Sequence, residues 1–486
     1  MSQPMRHLAA AQSVPFGTSG LRGLVTDLTD RVCYAYTQAF LSTVAADSSS
    51  VVVGHDLRPS SPRIAAACIQ AIRDAGRDAV FVGAVPTPAL AYYCALRHSP
   101  GIVVTGSHIP FDRNGIKFYR ADGEIDKADE QAILDAEVAV PDTLSPAALP
   151  AVDTTALDAY IARYTGFFGQ GALAGLRIAL YEHSSVARDV LRSVLECLGA
   201  EVLSLGRTDT FVPIDTEAVR AEDVAQARAW ANVHRFDAIL STDGDADRPL
   251  IGDETGTWLR GDVVGILCAQ YLKADVVVTP VSSNTAVEKC NSFRQVVRTR
   301  IGSPYVIGGM EAHRGTGLIV GYEANGGFLL GGDIESGSLT LKALPTRDSV
   351  LPMLALLAMA RDKGYRLSQL GQTLPRRFTA SNRIQNIPLN VSRTLIDTLE
   401  KDIENAAATM APNSGDVTGR DTTDGLRLTF SSDEIVHLRP SGNAPELRCY
   451  AEADDEERAG GLCNACLQRI SEKTLGAQID DPVAHH

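Results

Sequence analysis

The chain is predicted to be α/β: three related α/β domains with mixed or mostly parallel sheets around a central cleft, followed by a smaller C-terminal α+β domain. Three observations predict this. Apolar, strand-like runs alternate with helix-like stretches as far as Gly371, the pattern of α/β sheets. The same order of elements restarts twice after its first appearance, as in a repeat. Beyond Arg376 the style changes to alternating strands bounded by helices. At 486 residues the chain is also too long for a single core.

The first unit opens with VVVG at 51–54, a buried-strand pattern. A helix over 61–75 ends at Gly76, and a strand at 79–82, another helix and the strand GIVV (101–104) follow. The uncharged run 79–96 holds Gly83, Pro86 and Pro88, so it reads as strand, turn and helix rather than a membrane span. The second unit starts at LRIALY (176–181) and continues through a helix at about 185–198 and the strand EVLSL. After an acidic, Ala-rich helix it closes with FDAILS. The third runs from DVVVTP (275–280) through a helix at 284–290, the strand QVVRT, a helix at 305–314 and the strand GLIVGY. One large sheet with insertions is the alternative, but each unit restarts the same order. FTASNRIQNIPL, a helix at 392–408, the strands GLRLTF, EIVHLRP and LRCYAEA, and a final helix then describe an antiparallel α+β domain. The expected boundaries are 1–152, 153–256, 257–372 and 376–486, with 371–375 as a hinge.

A net charge of -14 argues against nucleic acid or an acidic membrane as partner. It leaves room for an anionic small substrate in a locally basic pocket. The N-terminus has no apolar core of signal type and no run is long enough to span a bilayer, so a cytoplasmic location is expected. The nine cysteines are odd in number and scattered, which suits a reducing compartment. Cys463 and Cys466 form a lone CxxC on a helix, expected to pack rather than to bind zinc. The oligomeric state is unknown from sequence.

Each α/β unit ends a strand in a loop with unusual chemistry, where ligands of such sheets bind. VVTGSHIPFDRNGIKFY (103–119) presents Ser107 and His108 at its start and Lys117 near its end, with Asn114-Gly115 as a turn signal. A serine hydroxyl needs an activating neighbour to be a nucleophile. The alternative is a polar loop in which Ser107 caps a helix. TDGDADR places Asp243, Asp245 and Asp247 at every second position. Such carboxylates repel one another unless a cation sits among them, and hard oxygen ligands suggest Mg²⁺. An EF-hand is disfavoured, because Arg248 stands where that loop needs Gly and the flanks read as strands. Arg248 points to an anion beside the metal; a solvated acidic turn is the alternative. In GYEANGG (321–327), Glu323 and Asn325 suit vicinal hydroxyls. RPSGNAPELRCY (439–450) sets Arg439, Ser441, Gly442, Asn443 and Arg448 around a Gly-Asn turn, suited to a phosphate or else an ordinary surface turn. In FGTSGLRG (16–23), Arg22 precedes the first unit and suits a phosphate. P-loop, GxGxxG, HExxH and GxSxG patterns are absent.

Taken in order, FGTSGLRG, TGSHIPFDRNGIKFY, STDGDADRPLI, GYEANGGF and RPSGNAPELRCYAEA resemble the motifs of the α-D-phosphohexomutase superfamily (phosphomannomutase/phosphoglucomutase) over nearly the whole chain. The resemblance implies a four-domain enzyme that interconverts hexose 6-phosphate and hexose 1-phosphate, mannose phosphate favoured and glucose phosphate accepted. It implies Ser107 as the phosphoserine beside His108, with Gly106 and Ile109 where relatives carry Ala and Asn. It further implies Asp243, Asp245, Asp247 and a phosphoserine oxygen of Ser107 around Mg²⁺, Arg22 and Arg248 near the phosphoserine, and Lys117 as acid/base. Glu323 and Asn325 would read sugar hydroxyls. Arg439, Ser441, Gly442, Asn443 and Arg448 would hold the non-reacting phosphate, with Asn443 and Ala444 departing from the family form. Ser303 stands where some relatives carry His or Asp. A hexose 1,6-bisphosphate is the implied intermediate and activator, kept from hydrolysis by a closing lid. Three rivals stay open. One is an amino-sugar phosphate mutase, whose EANG loop is similar although Gly327 replaces its His. The others are a Mg²⁺-dependent sugar phosphatase and a sugar-phosphate binding protein.

Overall fold

The computed structural model describes residues 3–4, 14–17, 20–144, 148–441 and 445–479, with backbone alone at 3–4 and 473–479. They fall into two compact units: Met1–Val278 with Phe293–Val297 and Gly302–Gly371, and Thr279–Ser292 with Arg298–Ile301 and Gln372–His486.

The three expected repeats share one device. In the first sheet, Asp78–Ala84, Ser50–His55 and Gly101–Val104 run parallel, and Arg113–Arg120 returns antiparallel beside Gly101–Val104. In the second, Glu201–Leu205, Arg177–Tyr181 and Ala238–Thr242 are parallel and Pro249–Gly252 returns antiparallel. In the third, Val276–Pro280 and Ile319–Tyr322 are parallel and Phe328–Leu330 returns antiparallel. Each sheet is therefore mixed. Each chemically unusual loop joins the carboxyl end of a parallel strand to its antiparallel return strand. Valine and isoleucine fill the parallel strands because both faces are covered: Val51, Val52, Val53, Ile102, Val103 and Val104 are all fully buried.

Asn114-Gly115, read from sequence as a turn, lies inside the strand Arg113–Arg120. Asn114 is buried and donates to Ser60 Oγ (2.8 Å) and Ser61 Oγ (2.9 Å). A Cβ at Gly115 would collide with Leu21 O of the neighbouring strand Gly20–Leu24, so the glycine serves close strand approach rather than a turn. Lys117 accordingly sits on a strand and not in a loop. The helix expected over 305–314 is Ser303–Glu311, with Pro304 near its start, a position that lacks an intrahelical acceptor for its missing N–H.

The C-terminal sheet is antiparallel throughout, in the order Phe378–Gln385, Glu446–Ala453, Ile435–Pro440, Leu426–Phe430, Val417–Asp421. The helix expected over 392–408 is two helices, Leu389–Lys401 and Ile403–Met410. Asp402 separates them at φ -132°, ψ 89°, and its side chain accepts from Asn405 N, an N-cap inside a continuous apolar pattern. Cys449, Cys463 and Cys466 are buried in this domain's core, as expected of packing residues. No helix among the described residues is long and apolar enough to cross a membrane.

Candidate active site

Ser107 follows the strand Gly101–Val104 in the left-handed region, at φ 53°. No helix begins there, so it caps none. Its N–H donates to Thr105 Oγ1 (2.8 Å), whose hydroxyl donates to Asp56 Oδ2 (2.7 Å). Its hydroxyl donates to Asp243 Oδ2 (2.7 Å) and lies 3.3 Å from His108 Nδ1. Ser107 and Asp243 are both fully buried.

His108 is set by Arg248, whose Nη1 lies 3.0 Å from His108 Nδ1. A guanidinium only donates, so Nδ1 accepts and the ring is neutral. Burial and then Arg248 hold this imidazole well below its usual range. Asp215 is half-buried; against that burial, the Arg248 charge and the backbone N–H groups of Glu217 and Ala218 hold its carboxyl low.

Asp243, Asp245 and Asp247 offer ligand oxygens that lie within 4.8 Å of one another. Lys117 Nζ reaches both Asp245 Oδ2 and Asp247 Oδ2 at 2.7 Å, and Thr87 Oγ1 donates to Asp245 Oδ2 at 2.7 Å. Burial, and then Asp245 and Asp247, push the Asp243 carboxyl well up. Burial opposes ionisation of Asp247 too, but Arg347, Lys117 and Arg248 outweigh it and hold that carboxyl far down. The donor set fits a hard divalent cation on a specific observation. Asp245 Oδ1 and Asp247 Oδ1 are buried and accept no hydrogen bond among the described residues. Buried acceptors left this way are costly unless a ligand completes them.

Arg22, half-buried on Gly20–Leu24, has its pKa lowered to about 10 by burial and by the like charges of Arg248 and Arg347. Guanidinium groups that repel one another in this way suit a multiply charged anion.

Glu323 and Asn325 lie between Ile319–Tyr322 and Phe328–Leu330, both buried. Glu323 Oε2 accepts from Arg347 Nη1 at 3.2 Å. Asn325 Oδ1 accepts from Gly327 N (2.9 Å) and Asn325 O from Thr216 Oγ1 (2.6 Å). Its side-chain oxygen is thus spent within its own loop.

In the C-terminal sheet, Arg439 pairs in register with Arg448, and Arg448 with Arg383 on the next strand. Arg439 Nε lies 3.2 Å from Asp424 Oδ2, Arg448 Nη2 lies 3.4 Å from Glu446 Oε2, and Ser441 N donates to Glu446 O at 2.9 Å. Like charges directly opposed across strands are unfavourable without an anion. Gly442 and Asn443 lie outside the described residues.

The chain matches the phosphoglucomutase/phosphomannomutase alpha/beta/alpha domain I over residues 13–138, domain II over 158–256, domain III over 260–378 and the C-terminal domain over 390–468. It is 48% identical over 464 residues to a phosphomannomutase of Salmonella muenchen, covering 95% of this chain and 96% of that one. The chain belongs to the phosphoglucomutase/phosphomannomutase family. It is also 47% identical over 467 residues to a phosphomannomutase of Sinorhizobium fredii (strain NBRC 101917 / NGR234), covering 92% of this chain and 96% of that one. The fold is shared with a solved phosphoglucomutase/phosphomannomutase family protein from Burkholderia thailandensis, at a TM-score of 0.73 and 21% identity over 96% of this chain and 98% of that one.

Two arginines of this family member escaped the sequence reading. Arg58, 1% exposed, pairs with Asp56 and donates to the carbonyls of Ser107 (2.8 Å), Ile109 (2.6 Å), Pro110 (2.7 Å) and Arg113 (3.0 Å). It also lies 4.1 Å over the Phe211 ring. Gly106, where the resemblance expects Ala, leaves it room: a Cβ there would lie 2.7 Å from Arg58 Cζ and Nε. Arg347, buried on the strand Leu344–Asp348, is the second. Ser303 is buried and donates to Glu124 Oε2 at 2.9 Å.

Proposed function

We propose that this enzyme is a phosphohexomutase interconverting hexose 6-phosphate and hexose 1-phosphate, with mannose phosphate favoured and glucose phosphate accepted. One observation carries the mechanism: Ser107 Oγ bonds a carboxylate of the Asp243, Asp245, Asp247 group inside a shell of Lys117, Arg22, Arg248 and Arg347. Phosphoryl transfer needs alignment and charge neutralisation above all, and this arrangement supplies both around one hydroxyl.

In this reading Ser107 carries the phosphoryl group. A sugar hydroxyl oxygen attacks phosphorus as the P–Oγ bond breaks; the hydroxyl proton passes to Lys117, and a proton returned to the departing Oγ leaves Ser107 as a free hydroxyl. The 1,6-bisphosphate so formed turns over and returns its other phosphoryl group to Ser107; added bisphosphate acts as activator. Asp243, Asp245, Asp247 and the Ser107 phosphate would hold Mg²⁺, which when bound supplies positive charge to the transferring group. Arg22 and Arg248 neutralise its remaining oxygens. Glu323 and Asn325 orient the sugar hydroxyls, and Arg439, Ser441, Gly442, Asn443 and Arg448 hold the phosphate that does not react.

Coupled assays of mannose 1-phosphate, glucose 1-phosphate and glucosamine 1-phosphate, each with its bisphosphate and Mg²⁺, test the reading. The 6-phosphate of mannose, and more slowly of glucose, is expected. Release of inorganic phosphate without isomerisation would replace the mutase by a phosphatase, and turnover of glucosamine 1-phosphate alone would reassign the sugar.

A further inference from the structure

Arg347 belongs to none of the five motifs, yet it joins two of them, the metal loop and the sugar loop. It lies on the strand Leu344–Asp348 and is 3% exposed. Its Nε and Nη2 lie 3.1 and 2.8 Å from Asp247 Oδ2, and its Nη1 lies 3.2 Å from Glu323 Oε2. A guanidinium is a rigid planar fork, so this one side chain sets the spacing between a carboxylate of the metal loop and a carboxylate of the sugar loop.

The backbone is built around it. A Cβ at Gly327 would lie 2.6 Å from Arg347 Cδ and 2.8 Å from Cγ, so a larger residue there would displace the side chain. The pairing of Phe328–Leu330 with Leu344–Asp348 shifts register between Phe328 and Leu330, immediately beyond that glycine.

We propose that Arg347 is a positioning residue for the transfer. It clamps Glu323 at a fixed distance from Asp247, so that the sugar hydroxyl held by Glu323 is registered against the phosphorus on Ser107. This rests on the mutase reading above.

The test compares wild type, Arg347→Lys, Glu323→Gln and the double variant, by steady-state kinetics and by calorimetric titration with mannose 1-phosphate. Lysine keeps the positive charge beside Asp247, but its single nitrogen cannot span both carboxylates. Arg347→Lys is expected to weaken binding and raise KM at least tenfold, with kcat falling further. The double variant is expected to bind within twofold of Glu323→Gln alone. Wild-type behaviour of Arg347→Lys, or additive losses in the double variant, would overturn the clamp. Should Arg347→Lys fail to fold, Gly327→Ala, which displaces the guanidinium, carries the same expectations. If wild type binds mannose 1-phosphate but does not isomerise it, the mutase reading falls and the titrations still decide the clamp.

Discussion

Ser107 aims its hydroxyl at Asp243, Oγ to Oδ2 2.7 Å, across 136 residues of chain and fully buried. A hydroxyl held in the left-handed region against a carboxylate contributes little to the core, so its removal separates chemistry from folding. Ser107→Ala should fold, lose about 1 kcal/mol for the hydrogen bond, and retain only residual turnover. Intact-protein mass spectrometry should show a fraction of wild type heavier by one phosphate group and none in the variant. Full activity of Ser107→Ala would end the phosphoserine reading.

The buried Oδ1 atoms of Asp245 and Asp247, which accept no hydrogen bond among the described residues, predict a metal requirement. A chelator should abolish turnover and Mg²⁺ should restore it. Asp245→Asn, which removes a charge while keeping the shape, should raise the Mg²⁺ concentration for half activation at least tenfold. An unchanged Mg²⁺ dependence would make the group an ordinary acidic turn.

What the sequence disclosed depended on how far apart cooperating residues lie. The parallel strands were legible because burial on both faces writes itself as runs such as VVVG. The aspartates were legible because they share one loop. The return strands were not: Asn114-Gly115 mimics a turn, and only the collision awaiting a Cβ beneath Leu21 O explains the glycine. Asp402 interrupts a helix that periodicity alone would run through, because capping wins locally. Arg58 and Arg347 were invisible because the groups they bridge lie apart in the chain: the carbonyls of Ser107 and Arg113 are 49 and 55 residues from Arg58, and Asp247 is 100 residues from Arg347. A lone arginine in a mixed segment looks like any solvated one.

Arg439 and Arg448, paired in register, should bind the non-reacting phosphate in both substrate orientations. Losing one charge-assisted contact costs about 1.5–3 kcal/mol. Arg439→Ala should therefore weaken 1-phospho and 6-phospho sugars alike, by roughly 10- to 150-fold. A defect confined to one isomer would contradict a shared phosphate site.

His183 and His437 predict acid sensitivity of the fold. Each donates Nε2–H to a carbonyl, Thr242 O at 2.9 Å and Asp424 O at 2.5 Å, and each leaves a buried Nδ1 with no partner among the described residues. Burial lowers both from 6.5 to about 4. The unfolded rings take up a proton below about pH 6.5 while the folded ones do not, so stability is intact above that pH and falls as pH drops. By pH 5 the loss should be about 2 kcal/mol for each ring. Denaturant melts at pH 7 and pH 5 would measure it. His183→Gln, which can still donate to Thr242 O, should remove its share of the slope, and an unaltered slope would place the sensitivity elsewhere.

Arg58 should prove as necessary to turnover as Ser107 itself. Four loop carbonyls, from Ser107 to Arg113, converge on its guanidinium, whose own charge is balanced by Asp56 at 3.1 Å. No other residue type offers that many donors in one plane. Removing one partner of a buried pair costs about 3–5 kcal/mol, so Arg58→Met should melt early. Arg58→Lys keeps the charge but can satisfy only part of the carbonyl set. It should fold, exchange its 105–113 amides faster by mass spectrometry, and lose turnover far more than it loses affinity for mannose 1-phosphate, because the residues proposed to hold sugar and phosphate are untouched. Were Arg58→Lys to match wild type in both exchange and turnover, the loop would be holding its left-handed Ser107 by backbone and Thr105 contacts alone.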